Sequence, residues 1–268
     1  YYYYYLCSTR KMSRIALTFG DAGENHVGME MVGSLGKIGS GFTVEELIML
    51  KDHFAQTNIV QFVPFNHEGE NAGVLIIRNY INSKKHKEML KEMNSFEWDT
   101  KYWDTRRSRV LNKIARSNIV ILDGISQEPD YENKKGRIID GNTLETFTEI
   151  KKKLINDITE GVGNTKGQNL ICEGNYYYNL KKCGIGFHGD AERRKVIALS
   201  LGGSTTMVWS WFHRSKPVGT PYTFHLHGGD VYIMSEKAVG HDWKKRSSIT
   251  MRHAAGAKKY ISLERYFK

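Results

Sequence analysis

The sequence is poor in cysteine, and its three cysteines (Cys7, Cys172 and Cys183) form no C-x-x-C pair. An odd count without that spacing argues against a disulfide framework or a thiolate zinc site. It places the expected setting in a reducing, intracellular compartment. No run of about 18 apolar residues occurs, so no membrane-spanning helix is expected. No signal peptide, internal repeat or G-x-x-x-x-G-K-[ST] phosphate loop is visible. Acidic residues are also in deficit: 29 Asp and Glu stand against 39 Lys and Arg, a formal charge of +10. Such an excess favours polyanionic partners through steering and counterion release, and nucleic acid is the expected one.

What is present suits a packed α+β protein. At 40% hydrophobic and 12% aromatic residues, the chain can build a substantial core, as one large domain or two small ones. The opening YYYYYLCSTRK fits neither a targeting segment nor an ordinary strand. Residues 1–11 are therefore set aside as a tail or artefact, with a natural start expected at Met12. Ile15 to Phe19 reads as a strand. Residues 21–41 are glycine-rich and read as a loop. Thr43 and Glu46 form a capping box ahead of a helix over 44–56. Ile59 to Val63 and Val74 to Tyr80 read as strands, and His86 to Met93 as a short basic helix. Asn142 is positioned to cap a helix running to about Ile158. Gly161 to Gln168 is polar and glycine-rich, and marks a boundary between a 12–165 region and a 166–268 core. Beyond it come short β runs, the last of them Ile249 to His253 and Tyr260 to Leu263.

Trp98 to Arg116 interleaves Trp98, Tyr102 and Trp103 with Arg106, Arg107, Arg109, Lys113 and Arg116. Stacking rings beside phosphate-pairing cations suit a nucleic-acid surface. A solvated basic loop with its aromatics tucked into the core is the competing reading.

The stretch with most chemistry is NYYYNLKKCGIGFHGD, Asn175 to Asp190. His188 and Asp190 are two apart, and on an extended strand they share a face. An imidazole and a carboxylate converging there are two of the three ligands of a facial-triad Fe(II) site. Residues 192–195, ERRK, read as a solvated charged rim. His225 and His227 read as ordinary strand residues, Trp209 and Trp211 as lining the barrel or a substrate mouth, and Cys183 as a structural thiol.

Residues 170–256 resemble the catalytic core of the AlkB-like family of Fe(II)/2-oxoglutarate dioxygenases. The resemblance is carried by Asn175-Tyr176-Tyr177, by His188-Gly189-Asp190 with Glu192, and by Ser200-Leu201-Gly202. It continues in Gly229-Asp230 leading into Val231–Met234, and in Arg246-Ser-Ser-Ile-Thr-Met-Arg252, an R-x-x-[LI]-T-[FM]-R pattern. It implies an α+β fold: a C-terminal double-stranded β-helix (jelly roll) with an N-terminal α+β extension. It also implies Fe(II) and 2-oxoglutarate, and oxidation of a nucleobase in DNA or RNA by hydroxylation or dealkylation. His188 and Asp190 carry over as iron ligands, and Asn175 and Tyr177 as co-substrate contacts. The third ligand is His241 or His253. With His241 the co-substrate cations are Arg252 and Arg246; with His253, Arg265 takes that place. The register set by Trp243 puts Lys245 at the ligand position, which leaves a site without iron as a further reading. The alternatives are a protein or small-molecule hydroxylase, and a non-catalytic jelly-roll module of a nucleoprotein assembly.

Overall fold

The computed structural model describes residues 12–24 and 26–267; Cys7 and the tyrosine run lie outside them. The first strand, β1 (Arg14–Gly20), is buried along its whole length. Two short strands follow, β2 (Ala22–Glu24) and β3 (Met31–Gly33), paired with each other. Helix α1 (Val44–Phe54) starts at the expected capping box: Thr43 accepts from the Glu46 amide, and Glu46 accepts from the Thr43 amide. Then come β4 (Ile59–His67), β5 (Glu70–Arg78) and α2 (Ser83–Met93). A basic hairpin is made of β6 (Lys101–Asp104) and β7 (Arg109–Asn112). Next are β8 (Ser117–Leu122), β9 (Ile138–Asp140) and α3 (Glu145–Val162).

The second half adds β10 (Ile171–Tyr177), β11 (Gly184–His188), β12 (Val196–Gly202), β13 (Thr205–His213), β14 (Lys216–Leu226) and β15 (Val231–Met234). It closes with α4 (Glu236–Val239), β16 (Thr250–Gly256) and α5 (Lys258–Ile261). The fold is a β-rich α+β architecture. One sheet of eight strands runs β4-β5-β15-β12-β1-β10-β8-β9, and a sheet of four runs β11-β16-β13-β14. The larger sheet takes strands from both sides of the boundary expected at 161–168. Residues 12–165 and 166–268 therefore share it, and β1 lies between β12 and β10.

Strand alternation divides the residues of the large sheet between its two faces. On β5, Leu75 and Ile77 pack with Leu47, Leu50 and Phe54 of α1. Val74 and Ile76 pack with Trp209, Trp211 and Met251 of the small sheet. The same parity on β1 sends Ile15, Leu17 and Phe19 toward the helices, and Arg14, Ala16 and Thr18 into a cavity on the other side. The small sheet's outer face is covered by Ile261, Leu263 and Tyr266 against Phe187 and Phe212.

Two elements differ from the sequence reading. The strand expected at Tyr260 to Leu263 is instead α5 followed by a 3-10 turn at Glu264–Tyr266. Its apolar residues cap the outer face of the small sheet and do not extend an edge. Asn142 does not cap α3. The N-terminal residue of that helix is preceded by Leu144, which offers no side-chain cap. The Glu92 carboxylate, at the end of α2, accepts instead from the Thr146 and Phe147 amides at 3.0 and 2.7 Å. An anion on the positive end of a helix serves the same orphan donors from outside the local sequence. Glu92→Ala is expected to lower the unfolding free energy by about 1 kcal/mol, in the range of a lost N-cap, read as a shifted denaturant midpoint. An unchanged midpoint would contradict this role.

Candidate metal centre

Strand β11 faces β16, and their register places the first two ligands. Ile185 opposes Ala255 and His188 opposes His253, so three steps on β11 match two on β16. That extra residue is a bulge, which re-aims the side chains beyond it. Ile185 and His188, an odd number apart, consequently line the same cavity, together with His253 and Ala255. The strand ends at His188, so simple alternation is not what aligns Asp190. A loop does it. The Asp190 amide donates to the Val239 carbonyl at 3.0 Å. At Gly189 a Cβ would stand 2.0 Å from the Gly240 carbonyl oxygen, so only glycine permits this backbone approach.

The result is a compact donor set. His188 Nε2 lies 3.5 Å, and His253 Nε2 3.8 Å, from Asp190 Oδ1. The three ligand atoms lie within 4.8 Å of one another. Two ligands about 2.0–2.2 Å from one ion sit roughly 3.0–3.4 Å apart at ordinary coordination angles. The two distances to Asp190 are close to that spacing, and the cluster could hold a shared metal. His188 Nδ1 faces the carbonyls of Gly186 at 2.8 Å and His253 at 3.0 Å. A proton on Nδ1 would bond these carbonyls and make Nε2 the atom available to a metal ion.

The electrostatics suit a cation. Burial, then the neighbouring His188, pushes the His253 pKa down to about 3, which favours the neutral ring that a metal ion would need. Burial alone would raise the Asp190 carboxyl; the contact with His188 and the charge of Arg193 outweigh it and hold the carboxyl well below the usual range. Arg193 is buried. It donates through Nη1 to Asp190 Oδ2 at 3.3 Å, through Nη2 to the Glu173 carboxylate on β10, and through Nε to the Ala22 carbonyl at 2.7 Å. Arg193 thus occupies one oxygen of Asp190 and leaves the other to the histidines. Arg194 is buried as well, which corrects the reading of 192–195 as a solvated rim. Burial, then the charge of Asp190, pushes Glu192 up to about 7.

Of the two candidates for a third ligand, His253 joins the pair. His241 lies in the turn after α4, where burial and Arg194 lower its pKa, and it is not part of the cluster. Asn175 and Tyr177 line the cavity. Asn175 Oδ1 accepts from Arg116 Nε and Asn118 Nδ2, each at 2.5 Å. The three expected co-substrate cations are elsewhere. With His253 facing inward, its neighbour Arg252 faces the other side of β16. Arg252 there lies over the Phe212 ring at 4.3 Å and donates to the Trp243 carbonyl. Arg246 is exposed and donates to Ser215 Oγ. Arg265 stands on the C-terminal 3-10 turn, bonded to the Tyr266 hydroxyl. None of the three lines the cavity.

The cavity, of about 470 Å³, instead holds Arg14. This side chain is 3% exposed. Nη2 donates to Ser200 Oγ at 2.8 Å, while Nε and Nη1 are buried with no hydrogen-bond partner. A buried guanidinium with two idle donors is costly unless an anion completes it. The sequence carried a signal for it: Arg14-Ile-Ala-Leu-Thr-Phe19 repeats the R-x-x-[LI]-T-[FM] pattern seen at Arg246–Met251.

Removing one imidazole should abolish tight binding of a divalent transition metal. His253→Ala is expected to lose stoichiometric Co(II) or Fe(II) in equilibrium dialysis, whereas His241→Ala retains it. The reverse pattern would move the third ligand to His241.

No family model matches the chain. A curated relative is "Uncharacterized protein R156" of Acanthamoeba polyphaga mimivirus, 38% identical over 257 residues. The match covers 92% of this chain and 97% of that protein. At that identity and coverage, the chain belongs to the same family as the mimivirus protein.

Proposed function

We propose that this protein is an Fe(II)- and 2-oxoglutarate-dependent dioxygenase that hydroxylates or oxidatively dealkylates a nucleobase. The observation that carries the reading is the placing of His188, Asp190 and His253 in one cavity with the incompletely bonded Arg14. Two imidazoles and one carboxylate are the facial donor set of non-haem Fe(II) oxygenases. Arg14 supplies a forked cation for a dicarboxylate co-substrate.

Strand order supports the same reading. Counted from β10, the small sheet runs second, seventh, fourth, fifth. The middle of the large sheet runs sixth, third, β1, first. This order supports an eight-stranded jelly roll, in which β1 would fill the eighth place. In the AlkB-like pattern the R-x-x-[LI]-T-[FM] strand comes last. Here the strand in that place, with its arginine at the head, comes first in the chain. The resemblance at residues 170–256 then extends to β1.

Fe(II) held by His188, Asp190 and His253, with 2-oxoglutarate and O₂, would supply oxidation of a substrate C–H bond coupled to formation of succinate and CO₂. The chain's own residues bind, orient and exclude water. Arg193 fixes the Asp190 carboxylate and keeps it ionised. The Gly186 and His253 carbonyls fix the His188 tautomer. Arg14, held by Ser200, would anchor a carboxylate in the cavity that Tyr177 and Tyr232 also line. The nucleobase assignment rests on the family resemblance and on the charge of +10.

Succinate formation from 2-oxoglutarate is expected to require added Fe(II) and to vanish in His188→Ala. Loss of a charge-assisted pair predicts that Arg14→Met raises the KM for 2-oxoglutarate by roughly tenfold or more, with the exposed Arg246→Ala near the wild-type value. Absence of Fe(II)-dependent succinate from the wild type would refute the proposal.

A further inference from the structure

A second cavity, of about 380 Å³, opens beneath the β6–β7 hairpin. Its walls include His26, Tyr102, Arg107, Arg109, Lys113 and Arg116. Four of these six are cationic, and the local anions cover little of that charge. Arg107 is paired with Asp104 at 3.0 Å. Arg116 Nε is bonded to the neutral amide oxygen of Asn175, so its charge is not cancelled there. Arg109 is exposed and makes no ion pair among the described residues. Lys113 Nζ is buried and has no hydrogen-bond partner; burial draws its pKa down to about 8, against the opposing pull of Asp99. The Asp99 carboxylate is itself engaged by the Tyr131 hydroxyl and the Arg137 amide.

The second cavity adjoins the first. Arg116 and His26 line both. The His26 ring stacks on Tyr102 with centroids 3.6 Å apart, which gives the boundary between them a flat aromatic wall. An anion seated in the basic cavity therefore adjoins whatever occupies the space beside His188 and Asp190. We infer that this cavity is a binding site for a phosphate ester group, carried by the molecule whose reacting part enters the metal-centre cavity. Arginine forks match phosphate oxygens two at a time. A buried lysine without a partner gains most from an arriving anion, since its desolvation has already been incurred. The volume exceeds what a lone phosphate fills, leaving room for the group esterified to it. This inference deepens the dioxygenase reading, but its binding test needs neither metal nor turnover.

The test is isothermal titration of the metal-free full chain with inorganic phosphate, adenosine monophosphate and a short single-stranded oligonucleotide. The same titrations are run on Arg109→Glu, on Lys113→Met and on the remote control Lys259→Ala. Arg109 is exposed, so its variant tests the site even where Lys113→Met fails to fold. The site predicts that both esters bind more tightly than inorganic phosphate. It predicts weakening by roughly tenfold or more in Arg109→Glu, as for loss of a charge-assisted contact, and wild-type affinity in Lys259→Ala. Affinity should also fall with added salt. Equal affinity in wild type and Arg109→Glu would overturn the site. Binding of inorganic phosphate with exclusion of both esters would overturn its role as a substrate subsite. If ester binding is lost in Arg109→Glu while the wild type forms no succinate, the subsite stands and the dioxygenase reading fails.

Discussion

The buried ion pairs of Arg193 are the constraint on which the site depends. One guanidinium bridges Asp190 in the loop after β11, Glu173 on β10 and the Ala22 carbonyl on β2. It joins the small sheet's ligand loop to the large sheet. Glu173 in turn accepts from Asn118 and Asn175, so the frame extends across β10 to β8. Burying such charges is costly, and removing one partner would leave the others uncompensated at a cost of about 3–5 kcal/mol. The network is better understood as specifying geometry than as adding stability. It keeps Asp190 ionised and presents a single oxygen to two imidazoles.

The large sheet separates two tasks. Its Ile15, Leu17 and Phe19 side packs on the helices and contributes ordinary apolar burial. Its Arg14, Thr18, Glu173 and Asn175 side carries polar groups into the cavity. Strand parity alone makes this division possible, with residues one apart serving core and site. A bulge on β11 then adjusts that parity at the one place where His188 must meet His253.

Much of this was legible in the sequence where the signal was local. The capping box at Thr43 and the strands at Ile15 and Val74 depend on neighbours in the chain; the His188/Asp190 pair was visible as a motif, although Val239 and Gly240 are what hold Asp190 in place. Non-local features were not legible. Glu92 caps α3 from another helix. Arg193 reads as a surface charge until Glu173 and Asp190 are seen around it. The choice between His241 and His253 depended on which residues face β11, a matter of register. That same register disposed of Arg252 by turning it outward. Arg14 carried a visible motif, but at the opposite end of the chain from the resemblance that gave the motif meaning. Only the pairing of β1 between β12 and β10 connects the two.

The central claim is that His188, Asp190 and His253 share one metal ion. X-ray absorption at the metal edge of Fe(II)- or Co(II)-loaded protein counts the ligands directly. The account predicts two imidazole ligands at about 2.0–2.2 Å, as is typical of metal–histidine bonds, the same two in His241→Ala, and no tightly bound ion left to give that signal in His253→Ala. A spectrum with no imidazole scattering, or one unchanged in His253→Ala, would contradict it.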